Sequence, residues 1–138
     1  KAGAGWYRYP ATGGKLVDPS VEDLICRESA VAGINRRVFT EAEIQHRLVL
    51  AMVNEAADIL ADGIAENAAD IDLVTIHGYG FPRWRGGLMH YADQIGVSDI
   101  LRHLRSFAEE DPLVWRPSPV IVDCAEKHIS LAAWHRAE

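Results

Sequence analysis

The segment from Thr40 to Gly63, TEAEIQHRLVLAMVNEAADILADG, constrains the fold more than any other part of the chain. Thr40 and Glu43 fit a capping box, and Gly63 fits the position just after a helix end. At about 100° per residue, two apolar faces adjoin, and only a narrow polar wedge interrupts them. Because a helix that is apolar around most of its circumference is typical of a bundle interior, the sequence predicts a central helix over residues 40–62. The first face comprises Ile44, Leu48, Ala51, Met52 and Ile59, the second Val49, Val53, Ala56 and Leu60, and the wedge Arg47, Asn54 and Asp58.

Five further helices are indicated by their start and stop signals. The first has Asp18 as N-cap and Pro19 at its first position, and it ends near Gly33. Another runs from Asn67 to Gly78, and residues 87–96 and 97–110 form two more, the second capped by Ser98. The last starts at Ser118-Pro119 and runs to about Lys127. The sequence therefore predicts an all-α fold of about six helices around the central helix.

The first 17 residues differ in character from the rest. They are rich in Gly, Tyr and Trp and show neither helical periodicity nor convincing strand alternation. We expect residues 1–17 to be an ordered lead-in whose Trp6, Tyr7 and Tyr9 pack on the body, and residues 18–138 to form one helical domain, a size that suits a single domain.

Charge and composition exclude several classes of protein. The net charge is −6, which disfavours a dedicated nucleic-acid-binding protein. The longest run of large apolar residues, Leu48 to Val53, is far shorter than the ~20 residues that span a bilayer. Cys26 and Cys124 belong to no CxxC pair, so we expect reduced core thiols in a cytoplasmic protein without a signal peptide. The chain does not begin with Met and looks like part of a longer protein.

A corner rich in glycine and arginine, HGYGFPRWRGG over residues 77–87, is the first candidate for chemistry. Dinucleotide fingerprints require a strand before the glycines and a third glycine, but GAGWYR and GYGFPR have Arg8 and Arg83 at that position. There is also no GxxxxGK[ST] motif. The glycines are better explained by a sharp turn that approaches the central helix closely, with Phe81 and Trp84 filling the space beneath it.

Metal-binding and acid–base patterns are weak. The six histidines include no HxxxH or HxxH pair, and we expect Asp99 and His103 to form a solvated surface pair. Asp70 and Asp72 are consistent with acidic residues at a helix start. No metal site and no cofactor site is predicted within the chain.

Glu55 is the carboxylate that most needs an explanation, because it falls in the middle of the first apolar face of the central helix. An unpaired carboxylate there would be costly, so we expect a contact with Arg85 or with amides of the glycine-rich corner. The alternative is a general base with a shifted pKa. Arg47 lies in the polar wedge, where it could face water, a ligand or a partner domain.

A family resemblance is carried by segments spread along the chain. They are IQHR (44–47), MVNEA (52–56), DGI (62–64), ADIDL (69–73), GYGFPRWRGG (78–87) and YAD (91–93). Together they resemble the C-terminal domain of L-3-hydroxyacyl-CoA dehydrogenases, and more closely the second copy of that domain in multifunctional fatty-acid β-oxidation enzymes. Those enzymes also contain an enoyl-CoA hydratase/isomerase half, and KAGAGWYRY is similar to the segment that joins their two copies.

The resemblance implies an all-α domain that packs and does not catalyse. In the family, NAD and the catalytic His–Glu pair lie upstream, and single-copy enzymes use this domain for dimerisation. The first copy usually carries an Asn-Arg pair on its central helix, whereas this chain has His46-Arg47, so the role of the Asn is not carried over. Residues 128–138 depart from the family and receive no role.

The resulting hypothesis is a non-catalytic helical domain of a β-oxidation enzyme whose other parts bind NAD and acyl-CoA. Its expected partners are the first C-terminal copy and the Rossmann domain, or a second copy of the isolated chain. The alternative is a module that binds CoA or another phosphate ligand through residues 78–87, with Arg83 and Arg85 supplying charge and Trp84 a stacking face. A free-standing dehydrogenase is a weaker third reading. The candidate structural or interface residues are Arg47, Glu55, Gly80, Phe81, Pro82, Arg85, Gly86 and Gly87.

Overall fold

A computed structural model describes residues 5–136. The chain forms two compact units, residues 1–39 and 40–138. The helix that the sequence groups with the main helical domain, Pro19–Val31, lies in the first unit. Each unit is described separately below.

The first unit combines a very short antiparallel strand pair with one helix. Strands β1 (Tyr7–Arg8) and β2 (Leu16–Val17) pair with Tyr7 opposite Val17, so the expectation of no strand is wrong for these two residue pairs. Helix α1 (Pro19–Val31) begins as predicted, because the Asp18 side chain accepts a hydrogen bond from the Ser20 amide.

Asp18 also forms an ion pair with Arg8 within this unit. Its two carboxylate oxygens accept hydrogen bonds from Arg8 Nε and Nη2 at 2.9 and 3.0 Å. These bonds, with those from Ser20, lower the pKa of Asp18 to about 2, so the pair stays ionised far into the acid range. Arg8 thereby ties the strand pair to the start of α1.

Two expectations for the first unit are corrected. Trp6 is 75% exposed and Tyr9 is 54% exposed, although both line a shallow cavity with Val21 and Ile25 of α1.

The two cysteines differ in burial. Cys26 is exposed and is not a core thiol, whereas Cys124 in the second unit is buried as predicted. Helix α1 buries none of its residues, so apolar periodicity does not identify a core here.

The second unit is all-α, which confirms the predicted fold class. It contains α2 (Glu41–Ala61), α3 (Ala68–Gly78), α4 (Leu88–Ile95), α5 (Val97–Ala108) and α6 (Pro119–Lys127), with short 3-10 turns at Arg83–Arg85 and Leu131–Ala133. With α1, the described residues contain six α-helices, the predicted number.

Local cap chemistry explains most of the helix ends. Thr40 accepts a hydrogen bond from the Glu43 amide, and Asn67 accepts one from the Asp70 amide. Gly63 has φ +69°, the left-handed conformation expected just after a helix end. The predicted Ser98 cap is wrong: α5 begins at Val97 directly after Gly96, whose φ of +100° turns the chain between α4 and α5.

The core of this unit lies on one side of α2. That side packs against α4 and α6, and α5 in turn packs against both of those helices. The buried positions of α2 are Leu50, Val53, Asn54, Ala56, Ala57 and Leu60, and they meet Met89, Ile100, Leu104, Ile121 and Cys124 from the other helices.

The predicted orientation of α2 is therefore partly wrong. Ile44, Leu48 and Met52 from the first apolar face are exposed, whereas Asn54 from the polar wedge is buried. Both sides of the helix are rich in apolar residues, so periodicity alone did not identify the side that faces the core. We call Ile44, Leu48 and Met52 the outer stripe.

Asn54 is buried because it holds the connection between α5 and α6. Its side-chain amide donates to the Arg116 carbonyl at 2.9 Å, and its carbonyl accepts from the Ser118 amide at 2.8 Å. One side chain thus satisfies a backbone donor and a backbone acceptor of a proline-rich loop that forms no helix of its own.

Candidate functional site

The glycine-rich corner links α3 to α4 in a tight turn. The Phe81 amide donates to the Thr75 carbonyl at 2.9 Å, and the Arg85 amide donates to the Pro82 carbonyl at 3.0 Å. Gly80, Gly86 and Gly87 have φ values of +71°, +78° and +110°, which L-residues with side chains rarely adopt. The corner therefore depends on glycine at the positions where the chain reverses.

The carboxylate that lies beside this corner belongs to Asp72 and not to Glu55, and it accepts amides of the first turn of α4. Asp72 Oδ1 accepts from the Met89 amide at 2.6 Å, and its Oδ2 accepts from the His90 amide at 3.2 Å. Asp72 on α3 thus caps the start of α4, which has no side-chain cap on its own N-cap residue. Burial raises the pKa of Asp72, while the hydrogen bonds from Met89 and His90 oppose that rise.

Gly87 makes this contact possible. Its backbone approaches Asp72 so closely that an added Cβ would overlap the carboxyl side chain. Thr75 lies beside the same contact, where its hydroxyl accepts a hydrogen bond from the Leu88 amide at 3.4 Å. The sequence predicted only that Asp72 is an acidic residue at a helix start. The spacing along α3 does not reveal which of its side chains contacts α4.

Glu55 does not have the predicted contact. Its side chain is exposed and lies at the rim of a groove between α2 and α3, whereas Arg85 lines a different cavity. The Arg85 guanidinium lies over the rings of Trp84 and Tyr91, with distances to the ring centroids of 4.3 and 4.2 Å. Because Glu55 is exposed and lies apart from Arg85, it does not anchor the glycine-rich corner.

The aromatic residues of the corner differ from each other in burial. Phe81 is partly buried, packs against the core and lies 6.1 Å from the Tyr91 ring, as expected. Trp84 is 77% exposed, so the prediction that it fills space beneath the turn is wrong. The ring instead covers one side of Arg85.

Arg47 is held within the domain and does not face water. Its side chain is only 14% exposed and forms an ion pair with Glu110 at 2.7 Å. The guanidinium also lies over the Phe107 ring, 4.1 Å from its centroid. Arg47 therefore connects α2 to the end of α5.

The neighbouring His46 packs edge-on against His103 of α5, with 4.6 Å between ring centroids. Burial, followed by the nearby His103, lowers the pKa of His46, so its neutral form is favoured at pH 7. The predicted Asp99–His103 pair is not a direct ion pair, because Asp99 binds Arg102 at 2.6 Å and the His103 ring packs against His46, but His103 still adds to Arg102 in lowering the pKa of Asp99.

Asp93, the last residue of the YAD segment, anchors residues to which the sequence assigned no role. Its two oxygens accept from the Leu131 amide at 2.7 Å and from the Ala132 amide at 3.1 Å. Trp134 Nε1 donates to Asp123 at 3.0 Å and adds a second attachment of this tail. Two acidic residues thus fix the segment after α6 to the bundle.

An apolar depression in the second unit, the α2–α3 groove, has a volume of about 670 Å³. Its walls are mainly aliphatic, and the outer stripe reaches it through Met52. Glu55, Glu66 and Asp70 form its acidic rim. Within residues 5–136, no three His, Cys, Asp or Glu side chains come together as metal ligands, and no helix is long and apolar enough to cross a membrane.

Comparison with known proteins identifies the family of this chain. The family model described as 3-hydroxyacyl-CoA dehydrogenase, C-terminal domain, matches residues 44–129, which is more than half of the chain. The matched range begins in α2, contains the glycine-rich corner and ends just after α6.

Among curated proteins, the chain is similar to large multifunctional enzymes. It is 36% identical over 114 residues to the peroxisomal bifunctional enzyme of Homo sapiens, covering 81% of this chain and 16% of that protein. It is 38% identical over 125 residues to the peroxisomal bifunctional enzyme of Danio rerio, covering 88% of this chain and 17% of that protein. For the glyoxysomal fatty acid beta-oxidation multifunctional protein MFP-a of Brassica napus, the identity is 32% over 133 residues, covering 94% of this chain and 18% of that protein.

These relatives also correct the expected location. Their names place them in peroxisomes or glyoxysomes, so the expectation of a cytoplasmic protein is wrong. The chain spans about a sixth of the length of the relatives it matches. It belongs to the family of 3-hydroxyacyl-CoA dehydrogenase C-terminal domains, in the form that occurs in multifunctional enzymes of fatty-acid β-oxidation.

Proposed function

We propose that this chain is a non-catalytic packing domain of a fatty-acid β-oxidation enzyme, equivalent to the second copy of the C-terminal domain. In this proposal, NAD and the acyl-CoA substrate bind to other parts of the enzyme. The domain covers a helical face of the first C-terminal copy and thereby supports the dehydrogenase half.

The exposed outer stripe is the observation that carries this proposal. Ile44, Leu48 and Met52 recur at every fourth residue of α2 and are 46%, 61% and 40% exposed. They lie on a helix whose other side is fully engaged in the core, and they continue into the α2–α3 groove. A contiguous apolar surface of this kind is typical of a packing interface.

The polar residues also support a structural role. Arg47, Asp72, Asp93 and Asn54 are all occupied by contacts that connect one element of the domain to another. By the resemblance to the family, the His46-Arg47 pair stands where the first copy usually has an Asn-Arg pair, so the role of that Asn is not carried over to this chain.

Reconstitution from two chains tests the proposal. We expect the 138-residue chain to form a stoichiometric complex with the separately expressed upstream portion of its gene product, measured by analytical ultracentrifugation. Leu48→Glu should weaken the complex at least about tenfold, because it places a charge in the middle of an apolar interface. The isolated chain should self-associate through the same stripe, and the substitution should reduce this as well.

Leu113→Glu is the matched control, because Leu113 is 91% exposed on the loop between α5 and α6 and lies outside the stripe. This variant should bind as well as the wild type. Equal complex formation by the Leu48→Glu variant and the wild type would show that α2 does not provide the packing surface.

A further inference from the structure

A second cavity in the helical unit is lined by polar and charged groups that the proposed packing role does not use. It has a volume of about 380 Å³ and lies between the first half of α2, the glycine-rich corner and α4. Val49, Phe81 and Ile95 contribute apolar walls, and Gln45, His46 and Arg85 contribute polar groups. We call it the Arg85 pocket.

The charge of this pocket is unusual for so acidic a chain. The chain has 20 acidic and 14 basic side chains, yet within residues 5–136 no Asp or Glu lines the pocket. Other arginines do face a carboxylate, as in the Arg8–Asp18, Arg47–Glu110 and Arg102–Asp99 pairs. Arg85 is therefore a cation in a concave site that contains no internal counter-charge.

The position of the guanidinium is fixed without the use of its N–H groups. It is partly buried and lies over the rings of Trp84 and Tyr91, and in the described part of the chain no carboxylate pairs with it. Stacking on rings engages the charge but provides no oxygen acceptor. The planar donor fork thus remains available for the oxygens of a ligand.

The other polar groups add donors but no further charge. Because the neutral form of His46 is favoured at pH 7, Arg85 is the one formal charge among the lining residues. Gln45 Nε2 donates to Glu41 at 3.3 Å, which leaves the second amide hydrogen of Gln45 unused by that bond. One cation beside apolar walls matches one negative charge on a ligand with an apolar body.

We propose that the Arg85 pocket binds a small organic monocarboxylate. The guanidinium holds the carboxylate, and the apolar walls receive a chain of a few carbons. A phosphate dianion fits less well, because its second charge has no partner among the lining residues. Binding of CoA through the whole 78–87 corner is also disfavoured, because Arg83 and Trp84 are exposed and do not line the pocket.

Titration of the 138-residue chain by two-dimensional NMR tests this inference, with sodium hexanoate as the probe. We expect saturable shifts of the Gln45 side-chain amide and of the Phe81 and Tyr91 rings, with a dissociation constant on the order of 1 mM. Hexanamide, which has a similar size but no charge, should bind at least about tenfold more weakly, and inorganic phosphate should bind more weakly than hexanoate.

Two pocket variants and one control make the result specific. Arg85→Gln should reduce hexanoate affinity at least about tenfold by removing the charge. Ala42→Phe, at an exposed lining position, should do so by filling the mouth of the pocket while Arg85 is retained. Arg83→Gln, a neighbouring exposed arginine that does not line the pocket, should leave the affinity unchanged.

Several outcomes would overturn the proposal. These are shifts that fail to saturate, equal binding of hexanamide and hexanoate, equal loss of affinity in the Arg83 and Arg85 variants, or tighter binding of phosphate than of hexanoate. Because Ala42→Phe retains Arg85, it tests the pocket even if the Arg85 variant loses its fold. The outcome is independent of the packing role of the outer stripe.

Discussion

Replacement of Gly87 by Ala should destabilise the helical unit by about 3 kcal/mol or more. The residue has φ +110°, and its new methyl group would overlap the Asp72 side chain. Backbone strain at such a position and steric overlap in a packed region each cost roughly 1–3 kcal/mol. Displacement of Asp72 would in addition release the Met89 and His90 amides. Urea unfolding followed by far-UV circular dichroism measures the change in the free energy of unfolding.

Gly80→Ala is the matched control for this substitution. Gly80 also has a positive φ, +71°, but nothing lies within 4 Å of an added Cβ. We expect a cost of only about 1–2 kcal/mol, from backbone strain alone. Equal costs for the two variants would show that the close approach to Asp72 does not stabilise the corner.

Replacement of Asn54 by Ala should have the second largest effect, a loss of about 2–3 kcal/mol of unfolding free energy. The substitution removes both hydrogen bonds to the α5–α6 connection and leaves the Ser118 amide without its acceptor in a buried position. A buried polar group without a partner costs roughly 1–3 kcal/mol. Thermal and urea unfolding should agree on the size of the loss.

Asp58→Ala, one turn further along α2, is the control for Asn54→Ala. Asp58 contacts Arg116 of the same connection, but the ion pair is long, at 3.9 Å, and the Arg116 side chain is 73% exposed. Such surface pairs contribute roughly 0–1 kcal/mol. If Asp58→Ala destabilised the domain as much as Asn54→Ala, the connection would depend on charge and not on the buried amide.

The helix boundaries could be predicted because their causes are local. Thr40, Asn67 and Asp18 each cap a helix through an amide two or three residues away, and Pro19 and Pro119 stand at first helical positions. Such contacts are encoded within a few residues of sequence.

The prediction that Ser98 caps α5 was wrong. Gly96 already turns the chain, so α5 starts before the serine.

The direction in which α2 faces could not be predicted from periodicity. Both its core side and its outer stripe are apolar, and the positions differ only in which neighbours the tertiary fold supplies. The same ambiguity placed Asn54 outside and Glu55 inside, the reverse of what the structure shows. The second apolar side of α2 is the outer stripe, for which we propose a packing role.

The prediction for the carboxylate beside the glycine-rich corner was wrong. The sequence predicted that Glu55 would contact Arg85 or amides of the corner, whereas Asp72 on α3 accepts the Met89 and His90 amides at the start of α4. The partner could not be identified from sequence because it depends on how α3 and α4 pack. The hydrogen bonds that Asp93 accepts from residues 131–132 were not predicted for the same reason, because Asp93 and Leu131 are 38 positions apart in sequence.

An activity assay tests our proposal that this domain packs and does not catalyse. The purified 138-residue chain would be mixed with NAD and an L-3-hydroxyacyl-CoA, and formation of NADH would be followed by its absorbance. We expect a rate equal to that of the buffer control. NADH formation that rises in proportion to the concentration of the chain, and that persists through successive purification steps, would contradict the proposal.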